Sequence, residues 1–180
     1  MVTLQSLSQS AGAKPATLDH PLEHLVACHD RILQRLDTLE RVAGALLTNR
    51  DEAIRAADAV VRFFDTNGVW HTQDEEDSLF PRLTAAADVE TQRYLYELET
   101  QHQEAEQVYK DLKAALSTLT SDAPQLGRFH SLVARLGEIY RQHIASENEH
   151  LIGLGKRLLT QQQLAEMAQE MKLRRGLGHE

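Results

Sequence analysis

The sequence predicts an all-α fold, an antiparallel up-down four-helix bundle followed by a short fifth helix. In four long segments the apolar residues recur at alternating steps of three and four, which places them along one face of a helix. Short turns separate these segments and favour antiparallel neighbours. No stretch shows the strict alternation of apolar and polar residues that is typical of a strand.

The first predicted helix begins at Pro21, because proline suits the first turn of a helix. Its apolar face is interrupted by His29. The second helix opens near Asp51 and ends near Pro81, with Gly68 as a point of bending. Both helices therefore carry an apolar stripe that faces a partner, and the stripe of the second also contains polar residues.

The third predicted helix follows an alanine-rich turn and carries His102 among leucines. A turn at 120–124 leads to the fourth helix, whose apolar face includes His143 and Glu147. Four helices joined in this way form one bundle, and each of them has a histidine on its apolar face.

A short fifth helix is predicted at 161–174, after a cap at Thr160. We expect three parts in the chain: a disordered N-terminal segment at 1–17, the bundle at 18–158, and a C-terminal helix and tail at 159–180. The first 17 residues lack the basic start and continuous apolar stretch of a secretory signal.

Composition excludes several classes of function. The net charge is −8, and the only basic cluster is Lys172, Arg174 and Arg175, so we expect no nucleic-acid partner. The single cysteine, Cys28, forms no internal disulfide and fits a reducing compartment. No apolar run approaches the ~20 residues that a membrane-spanning helix needs. We therefore expect a soluble, cytoplasmic protein without a membrane partner.

Six polar residues fall on the apolar stripes, where leucine would be expected. They are His29, His71, Glu75, His102, His143 and Glu147. Two of the histidines have a glutamate four residues later, on the same helix face. Buried ionisable groups are unfavourable unless they are paired or bind a metal. Because all four histidines lie within about 10 Å in height at ~1.5 Å per residue, the pattern predicts one metal site in the core.

Other polar residues are interpreted differently. The histidines that are out of phase or at the wrong height are His20, His24, His130 and His179. His150 is in phase, and both a hydrogen bond to a metal ligand and a surface role are open for it. Cys28 is interpreted as a packing residue. The acidic residues beside Glu75 are interpreted as a solvated face, and they are Asp74, Glu76 and Asp77.

The donor set indicates which metal the site would bind. Four imidazoles and two carboxylates suit a pair of iron ions at roughly 3.5–4 Å from each other. Manganese remains an alternative. A single zinc ion would take four ligands in a closed tetrahedron and would leave two donors unused.

The motifs around these residues resemble those of the hemerythrin-like, or HHE cation-binding, family. The similarity covers about residues 18–158 and rests on HDRI from His29, HTQDEEDSLFP from His71, QHQE around His102 and HIASENEHL from His143. The resemblance implies a non-haem di-iron centre with an oxo or hydroxo bridge. The six residues on the apolar stripes would be its ligands.

Two positions depart from the reversible oxygen carriers of the family. Glu106 stands where those proteins have a second histidine on the third helix. Residue 148 is Asn where they have Asp, and Glu147 stands one place earlier. The chain is therefore similar to the subgroup with a His, His-x-x-x-Glu, His, His-x-x-x-Glu ligand set. One fewer imidazole favours reaction with oxygen, peroxide or nitric oxide over reversible storage.

The leading hypothesis is a di-iron protein that binds, reduces or senses such a small oxidant. Iron storage, delivery or sensing without turnover is an alternative. A ferritin-like carboxylate enzyme is a third, because Glu99 with His102 and Glu147 with His150 have its Glu-x-x-His spacing. That class also needs an in-phase glutamate on the first helix, where none is found. A metal-free interaction bundle is the fourth.

Overall fold

The computed structural model describes residues 17–120 and 122–177, and within these ranges it contains helices and no strands. The α-helices are α1 (Pro21–Ala45), α2 (Arg50–Phe63), α3 (Val69–Gln73), α4 (Phe80–Ala86), α5 (Val89–Ser117), α6 (Ala123–Ser146), α7 (Ile152–Leu158) and α8 (Gln161–Arg174). The segment predicted to be disordered lies outside the described residues, apart from its last residue. None of the described helices is both long and apolar enough to cross a membrane.

Wide turns with π-helical hydrogen bonding join the shorter helices into longer ones. The turns Phe64–Gly68 and Asp74–Leu79 link α2, α3 and α4 into the second bundle helix, and Glu147–Leu151 links α6 and α7 into the fourth. The predicted all-α fold is confirmed. The second helix nevertheless continues past Pro81, because this proline is at the start of α4, directly after a wide turn, where a missing N–H is tolerated.

Two apolar clusters fill the bundle, one on each side of the predicted metal site. α1 packs against α2 and α6, and α5 packs against α6 and α4. Along α1, Leu22 and Leu25 belong to one cluster and Ile32 and Leu36 to the other, with His29 between them. The core is therefore apolar at both ends and polar in the middle.

The fifth helix, α8, completes one end of the core. Thr160 caps it in a reciprocal pair with Gln163, and its bounds coincide with the predicted 161–174. Met167, Ala168 and Met171 are at most 5% exposed, and the two methionines join the apolar cluster at this end. The helix is thus an integral part of the packed core.

A close approach between α7 and α1 gives a stability prediction. A Cβ atom on Gly155 would lie 2.9 Å from Cδ2 of the buried Leu22. We expect Gly155→Ala to lower the free energy of unfolding by about 1–3 kcal/mol, since overpacking outweighs the better helix propensity of alanine. A Cβ atom on Gly153 would only touch Arg157, at 3.5 Å. Gly153→Ala should therefore raise the free energy of unfolding by about 0.5–1 kcal/mol, through the better helix propensity of alanine. Urea unfolding of both variants checks this, and equal effects would contradict it.

Candidate metal centre

The structure brings the six in-phase polar residues together in the middle of the bundle. Each is at most 7% exposed, and the two glutamates are fully buried. They arrive from all four bundle helices: His29 from α1, His71 and Glu75 from the second, His102 from α5, and His143 and Glu147 from the fourth.

The six residues form two groups of four that share both carboxylates. His29 and His71 make one group with Glu75 and Glu147, and His102 and His143 make the other with the same two glutamates. Within each group the potential ligand atoms all lie within 4.8 Å of one another. Two shared carboxylates between two pairs of imidazoles can hold two cations side by side.

The inward-facing atoms of this cluster are close together but are not hydrogen-bonded. Nε2 of His29 lies 3.2 Å from Oε2 of Glu147, and Nε2 of His143 lies 3.0 Å from Oε1 of the same glutamate. Nε2 of His102 lies 3.4 Å from Oε2 of Glu75. Among the described residues, none of the four glutamate oxygens and none of these three Nε2 atoms has a hydrogen-bond partner. Buried polar atoms without partners are rare, and a bound cation would satisfy all of them.

The outward-facing nitrogens of three histidines are held by acceptors. Each Nδ1 donates to a side-chain oxygen 2.8 Å away: His29 to Asn148, His102 to Glu76, and His143 to Gln101. With Nδ1 engaged on the outer side, Nε2 of each ring faces the centre of the cluster, as in metal-binding histidines. Nδ1 of His71 has no partner in the described part of the chain.

Sequence reasoning missed these three acceptors. Asn148 had been noted only as a departure from the oxygen carriers, and Glu76 had been interpreted as part of a solvated face. All three acceptors, including Gln101, lie next to one of the six residues in the chain. Their hydrogen bonds cross to a different helix, so no spacing within one helix could have identified the partner.

The acidic residues beside Glu75 do not all lie on a solvated face. The interpretation of Asp74 is wrong: it is fully buried and is paired with Arg174 and Arg175. The side chain of Asp77 is 61% exposed, as expected.

Among the remaining candidates, His150 has a 59% exposed side chain 3.8 Å from Glu149, which supports its surface role. His24 is buried but belongs to neither donor group. Cys28 is buried, in agreement with a packing role. Glu106 is 63% exposed and pairs with Lys110.

Both carboxylates of the cluster lie in wide turns. Glu75 belongs to Asp74–Leu79, and Glu147 begins Glu147–Leu151. The hydroxyl of Tyr94 on α5 donates to the carbonyl of Ser146 at 3.1 Å, directly before the second of these turns. Such turns are frequent at functional sites because they redirect side chains within a helix.

The carboxylates hold two of the histidines in the charged form. Burial acts to lower the pKa of His29, but Glu147 and Glu75 outweigh it and raise the pKa to about 10. Burial is likewise outweighed at His102, where Glu75 contributes to a pKa of about 10. Burial lowers the pKa of His71 to about 4, so this imidazole is neutral.

The same contacts keep the carboxylates ionised. Burial acts to raise the pKa of Glu75, but the surrounding histidines hold it well below the usual range. Burial and the nearby Glu75 oppose ionisation of Glu147, and His143 and His29 lower its pKa nonetheless. Two ionised carboxylates thus lie beside two imidazolium groups.

A cavity of about 480 Å³ lies between the second bundle helix and α5 and reaches the cluster. Its lining includes His102 and Glu76, together with the rings of Phe64, Tyr109 and Tyr140. Burial raises the pKa of Tyr140, with a further contribution from the two cluster glutamates. His102 is the one clustered residue that lines this cavity, so the cavity reaches the outer side of one donor group.

Comparison with known proteins agrees with this geometry. No curated protein matches the chain significantly. The family model described as the hemerythrin HHE cation binding domain matches residues 20–154, which include all six clustered residues. Because the match spans more than half of the chain, the protein belongs to the hemerythrin HHE cation-binding domain family.

Proposed function

We propose that the cluster holds a non-haem di-iron centre and that the protein binds, reduces or senses a small oxidant. The candidate oxidants are oxygen, peroxide and nitric oxide. The observation that carries this proposal is the set of buried, unpartnered ligand atoms, arranged as two donor groups with two shared carboxylates. Imidazole together with carboxylate is a donor set that suits iron, and manganese remains the alternative.

Each ion would be held by one pair of histidines. His29 and His71 would bind the first, His102 and His143 the second, and the shared glutamates would hold both. Iron bound there would supply one-electron redox chemistry and Lewis acidity toward a diatomic molecule or peroxide. The protein contributes the orientation of the imidazoles, through the acceptors that hold Nδ1.

The surroundings of the cluster favour a small ligand. The apolar clusters on both sides exclude bulk water from the centre of the bundle. The cavity beside His102 offers a route for a small uncharged molecule, because the aromatic rings of Phe64, Tyr109 and Tyr140 form part of its wall. The charged residues at its rim are already paired, Asp65 with Lys113 at 2.8 Å and Glu106 with Lys110 at 2.7 Å.

Iron content tests the ligand set. Wild-type protein loaded anaerobically with iron(II) should contain about two iron ions per chain and develop an oxo-bridge absorption band in air. His143→Ala removes one donor of the second group and is expected to abolish the di-iron site. His150→Ala, which changes an exposed histidine on the same helix, should retain the metal. Wild-type protein that takes up no metal would overturn the proposal.

Metal binding should release protons. At pH 7 the imidazolium groups of His29 and His102 are charged because each pKa is raised to about 10. Only the neutral imidazole coordinates a metal, so loading must displace both imidazolium protons and must weaken as the pH falls. Titration of the metal-free protein in weak buffer with a pH indicator measures this. Loading without proton release would contradict the assigned charge balance.

Access through the cavity can be tested separately from metal binding. Val69 lines the cavity and is 48% exposed, so Val69→Trp should fill the opening without disturbing the core. We expect slower binding of nitric oxide to the iron-loaded protein, measured by stopped-flow absorption, with unchanged iron content. Val89→Trp is the matched control, because Val89 is 74% exposed and does not line the cavity. Equal rates in both variants would exclude this route.

A further inference from the structure

A buried ion-pair cluster connects α8 with the turn that carries Glu75. Asp74 precedes Glu75 and is fully buried. Its Oδ1 accepts from Nη1 of Arg174 at 2.8 Å and from Nη1 of Arg175 at 3.2 Å, and its Oδ2 accepts from Nη2 of Arg175 at 2.7 Å. Two guanidinium groups thus satisfy one buried carboxylate, which is the condition for burying it at all.

The two arginines are themselves fixed in place. Arg175 lies over the ring of Trp70 at 5.3 Å and donates to the carbonyl of Met171 at 2.8 Å. Arg174 also donates to Oγ of Ser78 at 2.6 Å. Their side chains are only 11% and 17% exposed. Arg174 therefore spans the wide turn from Asp74 to Ser78, with Glu75 between its two contacts.

This connection matters because a wide turn interrupts the regular hydrogen-bond ladder of the helix. Asp74 and Glu75 are adjacent in this turn, so the direction of one side chain restricts that of the next. With Asp74 held against α8, Glu75 points into the bundle, where its oxygens lie 3.4–3.6 Å from three histidines. If the arginines were removed, the unpaired Asp74 would favour turning toward water and would carry Glu75 out of alignment.

We propose that Arg174 and Arg175 are positioning residues for the metal centre, acting on Glu75 through Asp74. This role rests on the proposed function, in which Glu75 is a metal ligand, and adds the residues that orient it. The two arginines lie beyond residues 20–154, so the support for Glu75 comes from a part of the chain outside the matched family domain.

The docking of α8 does not depend on Asp74 alone. Met167 and Met171 are fully buried in the apolar cluster. Arg82 donates to both oxygens of Glu170 at 3.0 and 2.7 Å. Loss of the Asp74 contacts should therefore leave α8 packed on the bundle. An effect on metal binding can then be assigned to the orientation of Glu75 and not to the loss of α8 from the core.

The test compares the double variant Arg174→Gln, Arg175→Gln with Lys172→Gln. Lys172 also lies on α8 and pairs with Asp19 at 2.6 Å, so its replacement removes a docking ion pair without touching Asp74. Competition with a chelator for iron(II) gives the metal affinity, and the absorption spectrum of the iron-loaded protein reports the ligand geometry. We expect the double variant to lose about 10- to 100-fold in affinity with an altered spectrum, and Lys172→Gln to match wild type.

A further variant adds Asp74→Asn to the double variant. Without its buried charge, residue 74 has no reason to turn toward water. The affinity for iron(II) and the absorption spectrum should therefore recover in part. No recovery would be expected if the arginines served only to hold α8 on the bundle. Wild-type affinity in the double variant, or an equal loss in Lys172→Gln, would overturn the inference. If the double variant does not fold, Arg175→Gln alone can be used, because it keeps the ion pair between Arg174 and Asp74. The expected loss of iron(II) affinity is then smaller. Wild-type protein without metal would instead refute the proposed function, and the positioning role with it.

Discussion

Two carboxylates buried in the centre of an apolar bundle impose the constraint on which the rest of this structure depends. Glu75 and Glu147 are fully removed from water, and an isolated charge in such a place would be strongly unfavourable. Four histidines, one from each bundle helix, surround them. Two of these, His29 and His102, supply compensating charge.

The local structure around the centre serves the orientation of these groups. Acceptors on neighbouring helices fix Nδ1 of three imidazoles, so that each Nε2 faces inward. Both glutamates lie in wide turns, where the regular hydrogen-bond pattern of the α-helix is interrupted. At one of these turns the chain adds a second support, the arginines at the end of α8. The polar centre is thus held by contacts between helices, and apolar clusters pack on either side of it.

The charge balance of the cluster connects stability with chemistry. Glu75 and Glu147 raise the pKa of His29, and Glu75 raises that of His102, so that charged imidazoles lie beside the buried carboxylates and compensate their charge. Cations in the same place would take over that role through the same atoms.

The sequence by itself determined the class of fold, the bounds of the fifth helix and the set of six polar residues in the core. These follow from periodicity, since an apolar stripe fixes which side chains share the inner face of a helix. The tertiary structure alone decided the burial of Asp74, the acceptors Asn148, Glu76 and Gln101, and the wide turns that carry both glutamates. Each of these depends on which helices become neighbours and on their rotation. The spacing of residues within one helix does not show which atoms of another helix will contact them.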